Sequence, residues 1–546
     1  MKKLLLFSVA FCISCTLFAQ AKEKYSASGW QLMDPAADSV YGTSVTKAYN
    51  ELLKGKKSHQ VIVAVIDAGL DTAHEDLIGH IWTNIKEIPG NGIDDDHNGY
   101  TDDVHGWNFL GGTDGRNITT ESLEADREYY RLKASYADMT DSSKVPEGKK
   151  KEYHFWQLLQ KDRRKDSLRV TTTITFLAPI VTTLASADTI WKTRLHKDSV
   201  DITDIKTAMV SDSIQTQDDT LGKKVVSMYE MRHIPPQTKL EEILSGVSDF
   251  YKSQKDKLAG YSIDPNANRK SIAGDDFTNI SDRKYGNPNV DAGVPSHGTH
   301  VAGIIAASRN NNLGMDGVAD NVLIMSVRTV PDGDERDKDV ALAIRYAVDN
   351  GAKIINMSFG KPYSPQKTFV DDAFKYAAKK DVLIIHAAGN EGQNLDSSEN
   401  YPSVEYLDGK GRAANVITVG ASAGGPDSLL AASFSNYGAK EVDLFAPGVS
   451  VYSTIPGNKY ASFSGTSMAS PVVSGIAALV LEYYPKLTAL QLKYVLEKSV
   501  KVYPGQMVRK PGGREKVLFS SLSKTGGIIN AYDALKLAAT LQGQRK

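Results

Sequence analysis

Val61-Ile62-Val63-Ala64-Val65-Ile66-Asp67-Ala68-Gly69-Leu70-Asp71 sets an unbroken apolar run against an acid and a small-residue turn. A short apolar run bounded by turn chemistry reads as a strand buried on both faces. Outward from it, residues 291–540 alternate short apolar segments with helical ones. Strands are expected at Val322–Val327, Lys353–Met357, Val382–Ile385, Val416–Val419 and Val442–Phe445, and helices at Val340–Asp349 and Thr368–Lys380. That alternation predicts an α/β fold with a mainly parallel sheet covered on both faces. Val45–Lys54 is helix-like, and Ile528–Leu541 reads as an amphipathic helix. Residues 113–290 break the pattern. They are rich in Lys, Asp, Glu, Ser and Thr, with helical periodicity such as Leu240–Tyr251 and few continuous apolar runs. The expected organisation is a leader at 1–21, a first part of the α/β domain at 22–112, a largely helical insertion at 113–290, and the rest of the domain at 291–546.

The leader rests on Lys2 and Lys3, the apolar stretch Leu4–Ala19 and the A-x-A pattern Ala19-Gln20-Ala21. It predicts export to a periplasm, the cell surface or the medium. Lipid anchoring at Cys15 is the lesser alternative, since Cys12-Ile13-Ser14 is a poor match to a lipobox. Both cysteines, Cys12 and Cys15, lie in the leader, so the mature chain carries neither a disulfide nor a thiol nucleophile. Cleavage after Ala21 removes two lysines and leaves 62 − 65 = −3 charges. This balance, with 41% apolar and 24% charged residues, suits a soluble globular protein without nucleic acid or an anionic membrane as its partner. No other stretch is expected to span a bilayer: Thr175–Ala187 is short and broken by Pro179. A monomer is expected.

Three motifs carry chemistry. Asp67 ends a buried strand, and in open α/β sheets ligand sites lie at the carboxyl ends of strands. By itself it reads equally as a turn or N-cap aspartate. His297-Gly298-Thr299-His300-Val301-Ala302-Gly303 suits a buried helix with His297 in its first turn. By itself the pair His297 and His300 reads as catalytic, structural or metal-binding, although the Glu of His-Glu-x-x-His is missing. Gly465-Thr466-Ser467-Met468-Ala469-Ser470-Pro471 places Ser467 ahead of the apolar helix Val472–Tyr483, where free N–H groups and the helix dipole favour developing negative charge. An ordinary Ser N-cap explains a serine there, but not the whole block.

The three blocks, in the order Asp…His…Ser, resemble the subtilase family (peptidase S8). The resemblance covers about 60–140 and 291–535. It implies a three-layer α/β/α fold and a serine-type endopeptidase acting on proteins or peptides. Ser467 would be the nucleophile, His297 the base and Asp67 its orienting partner. Asn390, in Ala387-Ala388-Gly389-Asn390, would supply the oxyanion-hole side chain beside the Ser467 N–H. Ser358, Phe359 and Gly360 resemble the family's substrate-pairing edge. Ala388 and Gly389 would wall the S1 pocket opposite them, with room for a large or apolar side chain and broad specificity. His386 departs from the family's small residue and reads as a packed histidine.

Asp94-Asp95-Asp96-His97-Asn98-Gly99 is D-x-D-x-N-G, the first half of an EF-hand-like loop. Asp94, Asp96, Asn98 and the Tyr100 carbonyl would surround a structural Ca²⁺. His105 stands where the twelfth-position Glu belongs, so Asp102 or Asp103 must complete the shell, with Asp103 expected. A weaker calcium site, resembling one in many subtilases, pairs Asp76 with the loop 311–314. Two departures from the family stand out. Only 45 residues separate the leader from Asp67, too few for the usual inhibitory pro-domain. The Asp67–His297 spacing is 297 − 67 = 230, which the insertion accounts for. Its position ahead of His297 suggests a role at the cleft rim.

Overall fold

The computed structural model describes residues 29–545 except 140, 212–216, 232–233, 294 and 426. The leader and its two cysteines lie outside the described residues. The chain divides into two compact units, residues 126–265 and residues 24–125 with 266–546.

The smaller unit is built from α1 (Lys150–Leu195), α2 (Ile202–Ser211), α3 (Gln217–Met231) and α4 (Leu240–Gly260). Its core gathers Leu184, Trp191, Val200, Ile205, Val225, Tyr229 and Leu240. Gly222 lets α3 approach α1, since a Cβ there would lie 2.7 Å from the Trp191 ring. Pro179 does not break the apolar stretch: α1 runs through it for 46 residues. A proline removes one helix hydrogen bond, which a long, otherwise intact helix can absorb. Around it Thr172, Thr173, Thr175, Thr182, Thr189 and Thr193 each donate their hydroxyl to the carbonyl four residues back. The stretch around Pro179 is therefore longer than expected. Two described helices are long and apolar enough to cross a membrane, Glu147–Leu195 and Thr466–Tyr483. The apolar window of the second is 89% buried, the mark of a core helix.

The larger unit is organised by a nine-stranded sheet. Its strands are β1 (Val61–Asp67), β2 (Gly106–Asn108), β3 (Val322–Arg328), β4 (Ile354–Met357), β5 (Leu383–Ala387), β6 (Val416–Ser422) and β7 (Leu444–Pro447). From one edge the order is β2-β3-β1-β4-β5-β6-β7, then the short strands Gly527–Ile528 and Lys501–Val502. All pairs are parallel except the last. Ile528 therefore belongs to a strand, and the last helix shortens to Ala531–Ala538. A hairpin, β8 (Val451–Ile455) with β9 (Lys459–Phe463), follows β7.

Side chains alternate across the sheet with period two. Val63 and Val65 enter one core with α5 (Ser296–Ala306) and α8 (Thr466–Tyr483). Ala64 and Ile66 enter a second core, with α6 (Asp337–Asp349) and α7 (Lys367–Lys379). Two buried faces explain why β1 is apolar at every position instead of alternating. The result is three layers, α/β/α. β3 and β4 flank β1 on opposite sides, so the strand order reverses there, and crevices open at such points beyond the carboxyl ends of the strands.

Candidate active site

The carboxyl ends of β1, β4 and β5 deliver Asp67, Ser358 and Ala388 to one edge of the sheet. Past Asp67 the chain turns at Gly69 (φ 109°), where a Cβ would meet the Val290 carbonyl at 2.5 Å. The Asp71 N–H then donates to the Thr299 hydroxyl at 3.0 Å, tying this turn to the first turn of α5. Gly298 permits the contact, because a Cβ there would lie 2.0 Å from the Gly69 carbonyl.

These ties bring Asp67 and His297 together. Asp67 is buried, and its Oδ1 accepts from His297 Nδ1 at 2.7 Å and from the Ala68 N–H at 2.7 Å. Its buried Oδ2 has no partner among the described residues. Loss of water around the imidazole pushes its pKa down. The charge and hydrogen bond of Asp67 push it up further, so it sits above the ordinary value. The ring is closely surrounded yet keeps 38% of its side-chain surface open, so its desolvation is partial. His300 points elsewhere. Its Nε2 lies 3.0 Å from the Ala461 carbonyl, its ring stacks on Phe463 at 4.3 Å, and burial lowers its pKa to about 4. A shared metal site with His297 is not formed.

Ser467 lies in the first turn of α8, which begins at Thr466, six residues earlier than the apolar pattern alone indicates. Its hydroxyl donates to the Ser358 carbonyl at 3.0 Å, and the Ser358 hydroxyl donates back to the Ser467 carbonyl at 3.0 Å. Asn356, at the heart of β4, accepts from Ser470 and Ser474 at 2.9 Å each, so α8 is pinned to β4 along two turns. The Asn390 Oδ1 accepts from the Thr466 N–H at 2.9 Å and the Thr466 hydroxyl at 3.1 Å. That fixes the amide orientation and leaves its NH₂ directed away. A Cβ on Gly465 would stand 3.6 Å from both Asn390 Nδ2 and the Ser467 N–H, so glycine here keeps open a hollow shared by two donors.

The segments expected to wall a pocket follow β4 and β5. Phe359 is buried in the core and its carbonyl accepts from His386 Nε2 at 2.9 Å, so its side chain lines no cleft. His386 is packed, with burial lowering its pKa to about 4. Gly389 (φ 101°) must be glycine: a Cβ would lie 2.5 Å from Asn436 Nδ2, 2.6 Å from Glu391 Oε2 and 3.1 Å from Asn400 Nδ2. A Cβ on Gly360 would likewise meet the Asn400 amide at 3.0 Å. Asn400 thus stands between the two glycines, donating to the Ala388 carbonyl at 3.0 Å. The space beside the small residues is polar and partly filled, not open. Asn400 and Asn436 were invisible to motif reading because they lie in loops distant in sequence.

The acidic loop folds around its own amides. Asp94 accepts from the Asn98 and Gly99 N–H groups, and Gly99 takes φ 96°. Glu87, Asp94 and Asp96 place one oxygen each within 4.8 Å of one another. Asp103 is fully buried and occupied by Tyr346 (2.6 Å), Asn84 (2.8 Å) and Asn98 (3.0 Å), with burial raising its pKa to about 6. The Tyr100 ring packs on Trp107, Phe109 and Tyr346. Three converging carboxylates fit a hard cation, with Glu87 in the cluster and Asp103 behind Asn98. Glu87, outside the motif, is the residue that sequence spacing missed. Separately, Asn311 Nδ2 donates to Asp76 at 2.6 Å.

The description "Subtilase family" fits a family model that matches residues 58–520. A thermophilic serine proteinase of Bacillus sp. (strain AK1) is 44% identical over 217 residues, covering 40% of this chain and 48% of that protein. Subtilisin BL of Lederbergia lenta is 41% identical over 204 residues, covering 37% and 69%. The chain thus spans about half the length of the first relative and about two thirds of the second. Among solved structures, a protease of Pseudoalteromonas arctica is 28% identical, covering 44% of this chain and 70% of that one, with a TM-score of 0.36.

Proposed function

Because the chain belongs to the subtilase family, we propose that it is an exported serine endopeptidase cleaving proteins and peptides through an acyl-enzyme on Ser467. The observation that carries the reading is the 2.7 Å bond from His297 Nδ1 to buried Asp67 at the carboxyl edge of the sheet. That bond fixes the tautomer, leaving Nε2 as the base. Ser467 gives its proton to His297 Nε2 as Oγ bonds to the peptide carbonyl carbon. The hydroxyl must first leave the Ser358 carbonyl, and such looseness is ordinary in a substrate-free site. Negative charge on the former carbonyl oxygen falls into the hollow beside Gly465, facing Asn390 Nδ2 and the Ser467 N–H. His297 passes the proton to the leaving amine as the C–N bond breaks. Water, deprotonated by the same imidazole, then cleaves the ester and restores Ser467.

Substrate would lie along residues 358–360, with its S1 side chain between Gly360 and Gly389. We assign residues 113–290 as an insertion within the catalytic chain, and residues 1–21 as a cleaved signal peptide. Glu87, Asp94 and Asp96 would hold Ca²⁺, with Asn98 and the Tyr100 carbonyl as further oxygen donors. The ion would offset carboxylate repulsion and stiffen the loop, taking no part in hydrolysis.

The test is an organophosphorus probe with peptide mass mapping and casein cleavage, beside Ser467→Ala. Labelling at Ser467 and cleavage, both lost in the variant, are expected. A folded wild type that neither labels nor cleaves would leave a non-catalytic protein on this fold.

A further inference from the structure

Asn400 stands between Gly360 and Gly389, the two segments expected to wall the S1 pocket, and something must hold it there. Packing does part of this, through Val404 in the second core. Behind residues 400–405 lies a cavity of about 350 Å³, lined by His386, Tyr401, Val404, Thr418 and Glu441 among others. The segment is also held by polar ties. One is the Lys361–Tyr401 bridge, with N–H to carbonyl bonds of 3.0 and 2.9 Å, which joins it to the residue after Gly360. A second is the bond from the Ala413 N–H to the Val404 carbonyl at 2.8 Å, and a third is a single ammonium group. Lys367, in the first turn of α7, is buried, and its Nζ donates to the Glu405 carbonyl at 2.7 Å and the Ser403 carbonyl at 3.3 Å. Its charge is balanced by buried Asp371 one turn along, at 2.5 Å. Asp371 in turn accepts the Leu407 N–H at 2.9 Å. The ion pair thus reaches residues 403, 405 and 407.

We propose that Lys367 is a positioning residue for substrate selection: by clamping residues 403–407 to α7 it holds the Asn400 amide on the Ala388 carbonyl and sets the depth of the S1 pocket. This rests on the peptidase reading above. A buried lysine is costly to hold without full pairing. Here every partner but Asp371 is a carbonyl of one loop, which is the arrangement of a clamp. Lys367 touches no substrate; it acts through Asn400.

The test compares wild type, Lys367→Met/Asp371→Asn, Asn400→Gly, and the combination of all three changes. Removing both charges avoids leaving one buried and unpaired. Each protein is titrated with the organophosphorus probe to count working sites. It is then assayed on two peptides differing only in alanine or phenylalanine before the scissile bond. Both the clamp variant and Asn400→Gly are expected to shift the kcat/KM ratio toward phenylalanine by roughly tenfold, mainly through KM. Their combination should shift it no further, because they act on one element. A merely structural role would lower the titratable fraction and leave the ratio per working site unchanged, and that result overturns the proposal. Should the clamp variant fail to titrate, Lys367→Leu/Asp371→Asn, which likewise removes both charges and the carbonyl contacts, takes its place under the same readout. A wild type that cleaves neither peptide overturns the peptidase reading and this proposal together. A wild type that discriminates, beside a clamp variant that discriminates equally, overturns only the role of Lys367.

Discussion

His297 can accept a proton only while its ring is neutral, and Asp67 stabilises the charged ring. The sign follows directly. The raised pKa means that kcat/KM should climb with pH through an apparent pKa above the ordinary 6.5 and fall away below it. Asp67→Asn should move that limb to lower pH and reduce kcat by roughly 10⁴-fold, read from a pH–rate profile. Asn390→Ala removes one donor from the hollow beside Gly465, and should reduce kcat by about 10²–10³-fold with little change in KM. At this scale the sequence was most informative. Asp67, His297 and Ser467 sit in blocks of small neighbours, of which Gly298 is dictated by the Gly69 carbonyl, while Gly465 leaves space beside Asn390 and the Ser467 N–H. Asn400, Glu87 and Lys367 were not legible. Asn400 and Lys367 meet partners on other elements, and Glu87 meets its partners further along the same loop, outside the D-x-D-x-N-G spacing.

Between residues and the whole stand the turns that hold one element on another. Gly298→Ala would force a methyl group against the Gly69 carbonyl, 2.0 Å away in the native geometry, and so push β1 and α5 apart. Loss of at least 10²-fold in activity is expected, since misplacement of about 1 Å has that effect. Probe labelling should fall in parallel while circular dichroism stays native. The acidic loop makes a second element-scale prediction. A chelator should lower Tm, and returning Ca²⁺ should raise it by an amount that grows with the logarithm of its concentration. Glu87→Gln should blunt both changes. Six strands of the sheet, β1 and β3 to β7, were legible from their apolar runs to within a few residues, whereas the short strands Gly106–Asn108, Lys501–Val502 and Gly527–Ile528 were not. The β8–β9 hairpin was not, because β9 is mostly solvent-facing and Lys459-Tyr460-Ala461-Ser462 lacks the apolar content that marks a buried strand. Pro179 misled for the opposite reason: a local helix-breaking preference was outweighed by a long helix around it.

At the scale of the molecule, Arg336 of the larger unit donates both to Glu121 and to Asn266, at 3.0 Å each. Asn268 also reaches the Thr120 carbonyl at 3.1 Å. The points where the chain leaves the larger unit and returns to it are therefore adjacent. Replacing 126–265 by a short Gly-Ser linker should give a folded protein that still labels at Ser467, with a Tm drop of only a few degrees. Failure to fold would mean that the larger unit depends on the smaller for stability. The alternation of strands and helices announced the larger unit. The smaller one was legible as a change of composition with helical periodicity such as Leu240–Tyr251, but not in its bounds or in how its helices pair, since weak periodicity carries little signal of pairing.

β1 pairs with β3 and β4, whose residues follow it by more than 250 positions (Val61↔Val322, Val63↔Ile354). The chain emerges N-terminus first, so this register is also a matter of time. At roughly 5–20 residues per second of synthesis, β1 waits on the order of tens of seconds for its first partner. During that interval the strand ending in Asp67 is a sticky, unsheathed ribbon. The smaller unit, contiguous in sequence, emerges whole before β3 appears, so it can become compact while its host is still two unjoined halves.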